Sequence, residues 1–179
     1  PTAQVLQLEG EQFLIDCGEG SQMQLSKYKV KKSKLSHIFI SHLHGDHYLG
    51  LMGVLNSMGL QNRTQALQIH APAALKSIID LQLEASQTIL PFPVEFHSLD
   101  TDGVIAETEK MTISCFRVKH TIACWGFLFR ERKKARKLVS DKISYYQIPH
   151  TSFEAIQSGE DYILPDGKII PNEIGRAHV

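Results

Sequence analysis

Two periods organise the apolar positions of this chain, and they alternate along it. Residues 3–8 and 12–15 are short β-type runs on either side of Glu9-Gly10-Glu11, which predicts a hairpin. Residues 21–28 place Met23 and Leu25 among polar neighbours at helical spacing, giving a ββα opening. Residues 35–40 form a third apolar run, followed by Ser41-His42-Leu43-His44-Gly45-Asp46-His47 and a helical stretch through Leu51, Leu55 and Met58. A short strand at 67–70, a helix entered at Ala71-Pro72 and running through Ile78, Ile79 and Leu83, and a strand at 94–96 continue the alternation, which is the pattern of an α/β protein. From Ile113 onward, Phe116, Val118 and His120 share one parity while Arg117 and Lys119 take the other, so His120 is expected to close an apolar strand face. Residues 125–129 read as an aromatic strand. The pattern then weakens until Leu164-Pro165-Asp166-Gly167-Lys168, a hairpin turn. With no internal repeat and no linker, residues 1–179 read as a single domain.

Composition narrows the function classes. Apolar residues make up 42% and charged residues 21%, so the chain can bury a core. Nineteen Lys and Arg balance nineteen Asp and Glu, so attraction to a polyanion has to come from local clusters and not from net charge. No apolar run reaches the length of a membrane span, and the first residues lack the basic-then-apolar order of a signal peptide. Cys17, Cys115 and Cys124 are an odd number without metal-type spacing, which suits a reducing compartment; a cytoplasmic protein without membrane contact is expected. The outlier is histidine: nine in all, with His42, His44 and His47 inside six residues.

That cluster carries the chemistry. His42 and His44, two residues apart on extended backbone, project to one side and can reach one divalent ion. Gly45 permits a sharp turn, after which Asp46 and His47 diverge from the first pair and suit a second ion close by. Two neighbouring ions activate a water and clamp both oxygens of a displacement at phosphorus, so metal-assisted hydrolysis is the expected reaction class. One histidine at a strand end is an ordinary loop residue, but four ligand-type side chains in six positions are not. His120 joins them as a candidate because open α/β sheets carry their chemistry at strand ends.

His42-Leu43-His44-Gly45-Asp46-His47 after an apolar strand resembles the signature of the metallo-β-lactamase superfamily, and Asp16-Cys17-Gly18-Glu19-Gly20-Ser21-Gln22 resembles its ribonuclease Z branch, the tRNA 3′-processing endonucleases. Gly50-Leu51-Met52-Gly53-Val54-Leu55, Ile69-His70-Ala71-Pro72, His120 with Trp125-Gly126-Phe127, and Ile148-Pro149 through Gly167 extend the likeness over nearly the whole chain. The resemblance implies an αββα sandwich, incomplete in this chain. His42, His44 and His120 would hold one zinc, and Asp46 and His47 would contribute to a second. Asp46 would also accept a proton from the attacking water, and Asp16 would orient the metal-bound histidines. Manganese can stand in for zinc. The bridging aspartate, last histidine and His-Glu pair of similar enzymes have no counterpart, since Asp161, Asp166, His150 and His178 lack the context. The chain is therefore expected to be a fragment that is weakly active by itself.

The implied activity is a zinc-dependent endoribonuclease that removes the 3′ trailer from precursor tRNA by attack of metal-activated hydroxide on a phosphodiester, acting as a homodimer. Another phosphodiesterase of the same fold acting on small cyclic nucleotides, and an inactive homologue that binds RNA or a partner, are the alternatives. Arg130, Arg132, Lys133, Lys134, Arg136 and Lys137 are the candidate RNA-gripping residues; Lys27, Lys29, Lys31, Lys32 and Lys34 form a second basic stretch. Neither is interleaved with aromatic residues, so stacking on single strands is not expected.

Overall fold

A computed structural model describes residues 1–8, 10–132 and 137–172. The chain divides into two compact units, Pro1–Glu131 and Arg132–Val179.

The first unit opens with β1 (Gln4–Leu8) and β2 (Glu11–Ile15), an antiparallel hairpin turning at Gly10, where φ is 92°. Helix α1 (Ser21–Lys27) follows, then β3 (Leu35–Phe39), the one-turn helix α2 (Gly45–Tyr48), α3 (Leu51–Leu60), β4 (Leu67–Ala71), α4 (Ala74–Ala85) and β5 (Val94–Ser98). The five strands form one sheet in sequence order, with β2 to β5 parallel. Period-2 alternation sorts its side chains between two layers. Leu14, Ile38, Ile40, Leu67, Ile69 and Ala71 pack against Leu25 of α1, Leu51, Leu55 and Met58 of α3, and Leu75 and Ile79 of α4. Phe13 and Phe39 point the opposite way.

They meet a second sheet, an antiparallel meander of β6 (Gly103–Glu107), β7 (Met111–Val118) and β8 (Cys124–Glu131), through Met111, Ile113, Phe127 and Phe129. Helices on one face of the first sheet and a second sheet on the other are the α, β and β layers of a metallo-β-lactamase sandwich.

Several expectations shift. The expected helical stretch through Leu51, Leu55 and Met58 is α3, preceded by the separate one-turn α2 that contains Asp46 and His47, and β6 has no counterpart in the reading of the sequence. On β7 the buried parity is the odd one, Met111, Ile113 and Cys115, whereas Phe116 and Val118 are 45% and 43% exposed. Two apolar parities compete along this strand, and contact with Phe13 and Phe39 selects the odd one. His120 thus stands beyond the strand end rather than closing a buried face.

The second unit contains α5 (Ser140–Tyr145), a 3-10 turn at His150–Ser152, α6 (Phe153–Ser158), and the two-residue strands β9 (Tyr162–Ile163) and β10 (Ile169–Ile170). The latter pair is antiparallel around the expected turn, with Gly167 at φ 84°. Asn172 closes the unit: its side-chain nitrogen donates to the carbonyls of Ile156 and Glu160, and its backbone N–H to Asp161.

Candidate metal centre

The histidine motif leaves the carboxyl end of β3, where consecutive buried residues give way to polar ones. Two glycines let the Asp16–Gly20 loop press against it. A Cβ on Gly18 would collide with the carbonyl oxygen of Asp46, and one on Gly50 with that of Gly18. The close approach lets the Cys17 N–H donate to the His47 carbonyl at 2.7 Å, and the Gly50 N–H to the Cys17 carbonyl at 2.9 Å. Thr2 ties in as well, donating its N–H to the Asp46 carbonyl at 2.7 Å. On the other side the Trp125 N–H donates to the Ser41 carbonyl at 2.9 Å, which docks the start of β8 on the motif and brings the preceding loop, with His120, over it.

Three nitrogens converge. His42 Nε2 lies 3.1 Å from His44 Nδ1, and His120 Nε2 lies 3.2 Å from the same atom. A tetrahedral zinc with Zn–N bonds of about 2.0–2.1 Å sets its nitrogens about 3.3 Å apart, so the spacing fits such an ion. Neutral imidazoles provide only one N–H each, and His44 Nδ1 cannot donate to two neighbours at once; a shared cation relieves all three lone pairs. Among the described residues, these three histidines are the one group of three or more ligand-type side chains whose donor atoms cluster in this way. Burial first, then the imidazoles of His47, His120 and His44, hold His42 below the usual histidine pKa, which keeps its lone pair free for a cation.

Asp46 and His47 sit beside this set. The ring of His47 is 4.0 Å from that of His42, centroid to centroid, and its Nε2 is 3.5 Å from Asp46 Oδ2. This nitrogen and this carboxylate oxygen lie side by side at the edge of the three-histidine cluster. Asp46 is 59% exposed at its side chain and faces solvent. Asp16 adopts a left-handed conformation, φ 57°, which an aspartate tolerates, and turns its carboxylate under the motif. It accepts from the Ser41 N–H at 2.8 Å and from His47 Nδ1 at 2.8 Å. Ser41 itself was not singled out from the sequence; the only signal was a hydroxyl residue directly before the first histidine.

The remaining candidates lie elsewhere. Asp161 and Asp166 are occupied locally, accepting the N–H of Asn172 and of Lys168. His150 packs edge-on against Phe153 within the second unit. His178 lies outside the described residues. Of the basic run, Arg130 is on β8, Arg132 and Lys137 belong to the second unit, and Lys133, Lys134 and Arg136 lie outside the described residues. The earlier basic stretch loses one member: Lys32 is buried, 5% exposed, donating to Ser26 Oγ at 2.9 Å. Cys17 is fully buried, and burial pushes its thiol up to about 12, so it is neither ligand nor nucleophile near neutrality.

Fold and site together define a metallo-β-lactamase-fold protein with a histidine metal-site cluster. Residues 2–173 match the model of the family described as Anti-Pycsar protein Apyc1, and the chain belongs to that family. It is also a homologue of ribonuclease Z. It is 42% identical over 173 residues to ribonuclease Z of Bacteroides fragilis and 36% identical over 173 residues to ribonuclease BN of Proteus mirabilis. These alignments take in 96% and 94% of this chain but 57% of each relative. The chain therefore spans a little over half the length of the curated relatives it matches. Among solved structures, the short form of human tRNase Z superposes with a TM-score of 0.68 at 35% identity, covering 73% of this chain and 58% of that one. The metallo-β-lactamase-fold protein YhfI of Bacillus subtilis shares the fold, with a TM-score of 0.56 at 17% identity over 81% of this chain and 58% of that one. Among the described residues, no helix is long and apolar enough to cross a membrane.

Proposed function

We propose that the protein is a metal-dependent phosphodiesterase and that its substrate is a small cyclic nucleotide. The observation that carries the reaction class is the convergence of His42 Nε2, His44 Nδ1 and His120 Nε2 at zinc-compatible spacing. When bound, zinc or manganese supplies Lewis acidity toward a phosphoryl oxygen and lowers the pKa of water. The chain's own residues do the rest. His42, His44 and His120 would hold the first ion, and Asp46 and His47 would contribute to a second. Asp46, exposed at the mouth, accepts the proton released as water attacks phosphorus. Asp16, buried beneath, keeps His47 oriented.

Support for a cyclic nucleotide comes from the family match across residues 2–173. A second reading, removal of the 3′ trailer from precursor tRNA, is favoured by the 42% identity to ribonuclease Z, and in that reading Arg130, Arg132, Lys133, Lys134, Arg136 and Lys137 grip the RNA. Cytoplasmic location and a homodimer belong to both, and sedimentation of the purified protein tests the dimer. The deciding assay incubates the zinc- or manganese-loaded protein with a panel of cyclic mononucleotides and, separately, with a trailer-bearing precursor tRNA. Weak ring opening of a cyclic nucleotide that is abolished by His42→Ala is expected. Trailer removal without ring opening would replace the first reading by the second. Bound zinc with neither activity would leave an inactive homologue.

A further inference from the structure

We propose that Ser41 is the positioning residue that links the two metal positions: its hydroxyl carries the orientation imposed by Asp16 to His42, while the same carboxylate oxygen orients His47. The inference rests on the metal-dependent reading above. Asp16 Oδ2 lies 3.0 Å from Ser41 Oγ and 2.8 Å from His47 Nδ1. A carboxylate only accepts, so both neighbours donate to it. The serine proton is then committed, and the Ser41 oxygen, 2.9 Å from His42 Nδ1, accepts from that ring. Both imidazoles carry their proton on Nδ1 and present a lone pair at Nε2. For His42 that atom belongs to the three-nitrogen cluster; for His47 it is the atom beside Asp46. Asp16, Ser41 and His42 are 5%, 9% and 5% exposed, so water does not replace these bonds.

The chain of hydrogen bonds also sets a direction for the coupling. A cation on His42 Nε2 makes its Nδ1–H a stronger donor, which polarises the serine hydroxyl toward Asp16 Oδ2. That oxygen then has less electron density for the His47 N–H, and His47 becomes a poorer ligand. Occupation of the first position therefore weakens the second beyond the repulsion between two cations. Removal of the hydroxyl leaves Asp16 Oδ2 to His47, while Oδ1 keeps the backbone N–H of residue 41. A group that merely fills space would not weaken the first position while sparing the second.

The test combines zinc competition with a chromogenic chelator and nitrogen-15 spectra of the histidine rings, on the wild-type protein and on Ser41→Ala, Ser41→Thr and Asp16→Asn. Metal-free wild type should show His42 and His47 as single Nδ1–H tautomers. Ser41→Ala should weaken the tight position by about 10–100-fold and scramble the His42 tautomer, with the His47 tautomer kept and the second position no weaker. Ser41→Thr should restore the tight position to within a few-fold, and Asp16→Asn should weaken both. An unchanged tight affinity in Ser41→Ala, or an Nε2–H tautomer at His42 in the wild type, would overturn the proposal. Absence of zinc binding by the wild type would instead defeat the metal-dependent reading, and the metal-free spectra would still decide the relay.

Discussion

Replacing His70 by Phe should remove much of the protein's sensitivity to acid. His70 on β4 is 2% exposed, and neither ring nitrogen has a hydrogen-bond partner among the described residues. Its ring is stacked on Phe39 at 4.9 Å, on His37 at 5.5 Å and on His97 at 4.7 Å, in the layer between the two sheets. Burial, followed by the neighbouring imidazoles of His97 and His37, pushes its pKa down to about 3 from 6.5. The unfolded chain therefore binds a proton that the folded chain refuses. The stability associated with neutral His70 is complete above the unfolded value of 6.5 and is lost as pH falls from there toward 3. At pH 5 the unfolded ring lies about 1.5 pH units below its own pKa, which corresponds to about 2 kcal/mol lost relative to pH 8. His37, held at about 4 chiefly by burial, adds a similar loss.

In His70→Phe the first of these losses disappears, so urea unfolding at pH 8 and pH 5 should show a difference about 2 kcal/mol smaller than in the wild type. The variant should also be the more stable one at pH 8, because two unpartnered buried atoms, each costing about 1–3 kcal/mol, are gone. Titrations shared by both proteins, including those at the metal centre, cancel in the comparison. Equal pH dependence in the two proteins would show that His70 gains a partner or water in solution, and the reasoning would fail.

Three further outcomes are expected. Gly50→Ala should lower stability by about 1–3 kcal/mol and weaken zinc binding, because its new methyl group displaces the Asp16–Gly20 loop from the histidine motif; chelator competition beside a melting curve checks both. Arg63 is 7% exposed and donates to the carbonyls of Gln65, Ala66 and Leu35, so Arg63→Ala should cost about 2–4 kcal/mol by urea unfolding, and Arg63→Lys, which lacks the planar fork, should recover little of it. The 179-residue chain should retain close to one zinc per molecule after dialysis, measured by elemental analysis, because three imidazoles serve the first position and only two side chains the second.

Much of the fold was readable because it is written in short-range pattern. The apolar run ending at Ile40, the polar histidine motif after it and the helical spacing of Leu51, Leu55 and Met58 each depend on neighbours within a few positions. The strand-to-helix handover was therefore legible, and so was the pairing of His42 with His44. The parity of β7 was not, because Ile113 and Cys115 compete with Phe116 and Val118, and they are separated by the contact of Ile113 with Phe13 and Phe39 of another sheet and of Cys115 with Leu99 and Trp125. Lys32 looked like one more surface cation until burial against Ser26 removed it from that role.

The amino-acid order alone determined which residue types could grip a cation and that they follow a buried strand, since local spacing governs the direction in which neighbouring side chains leave the backbone. Tertiary structure decided the rest. His120 is 76 positions from His44, and it reaches the cluster because the Trp125 N–H closes on the Ser41 carbonyl. Asp16 is 25 positions from Ser41, and it finds that residue because β2 and β3 lie side by side. Contacts across such separations depend on how sheets stack and glycine-containing loops nest, and no pattern of neighbours along the chain encodes them.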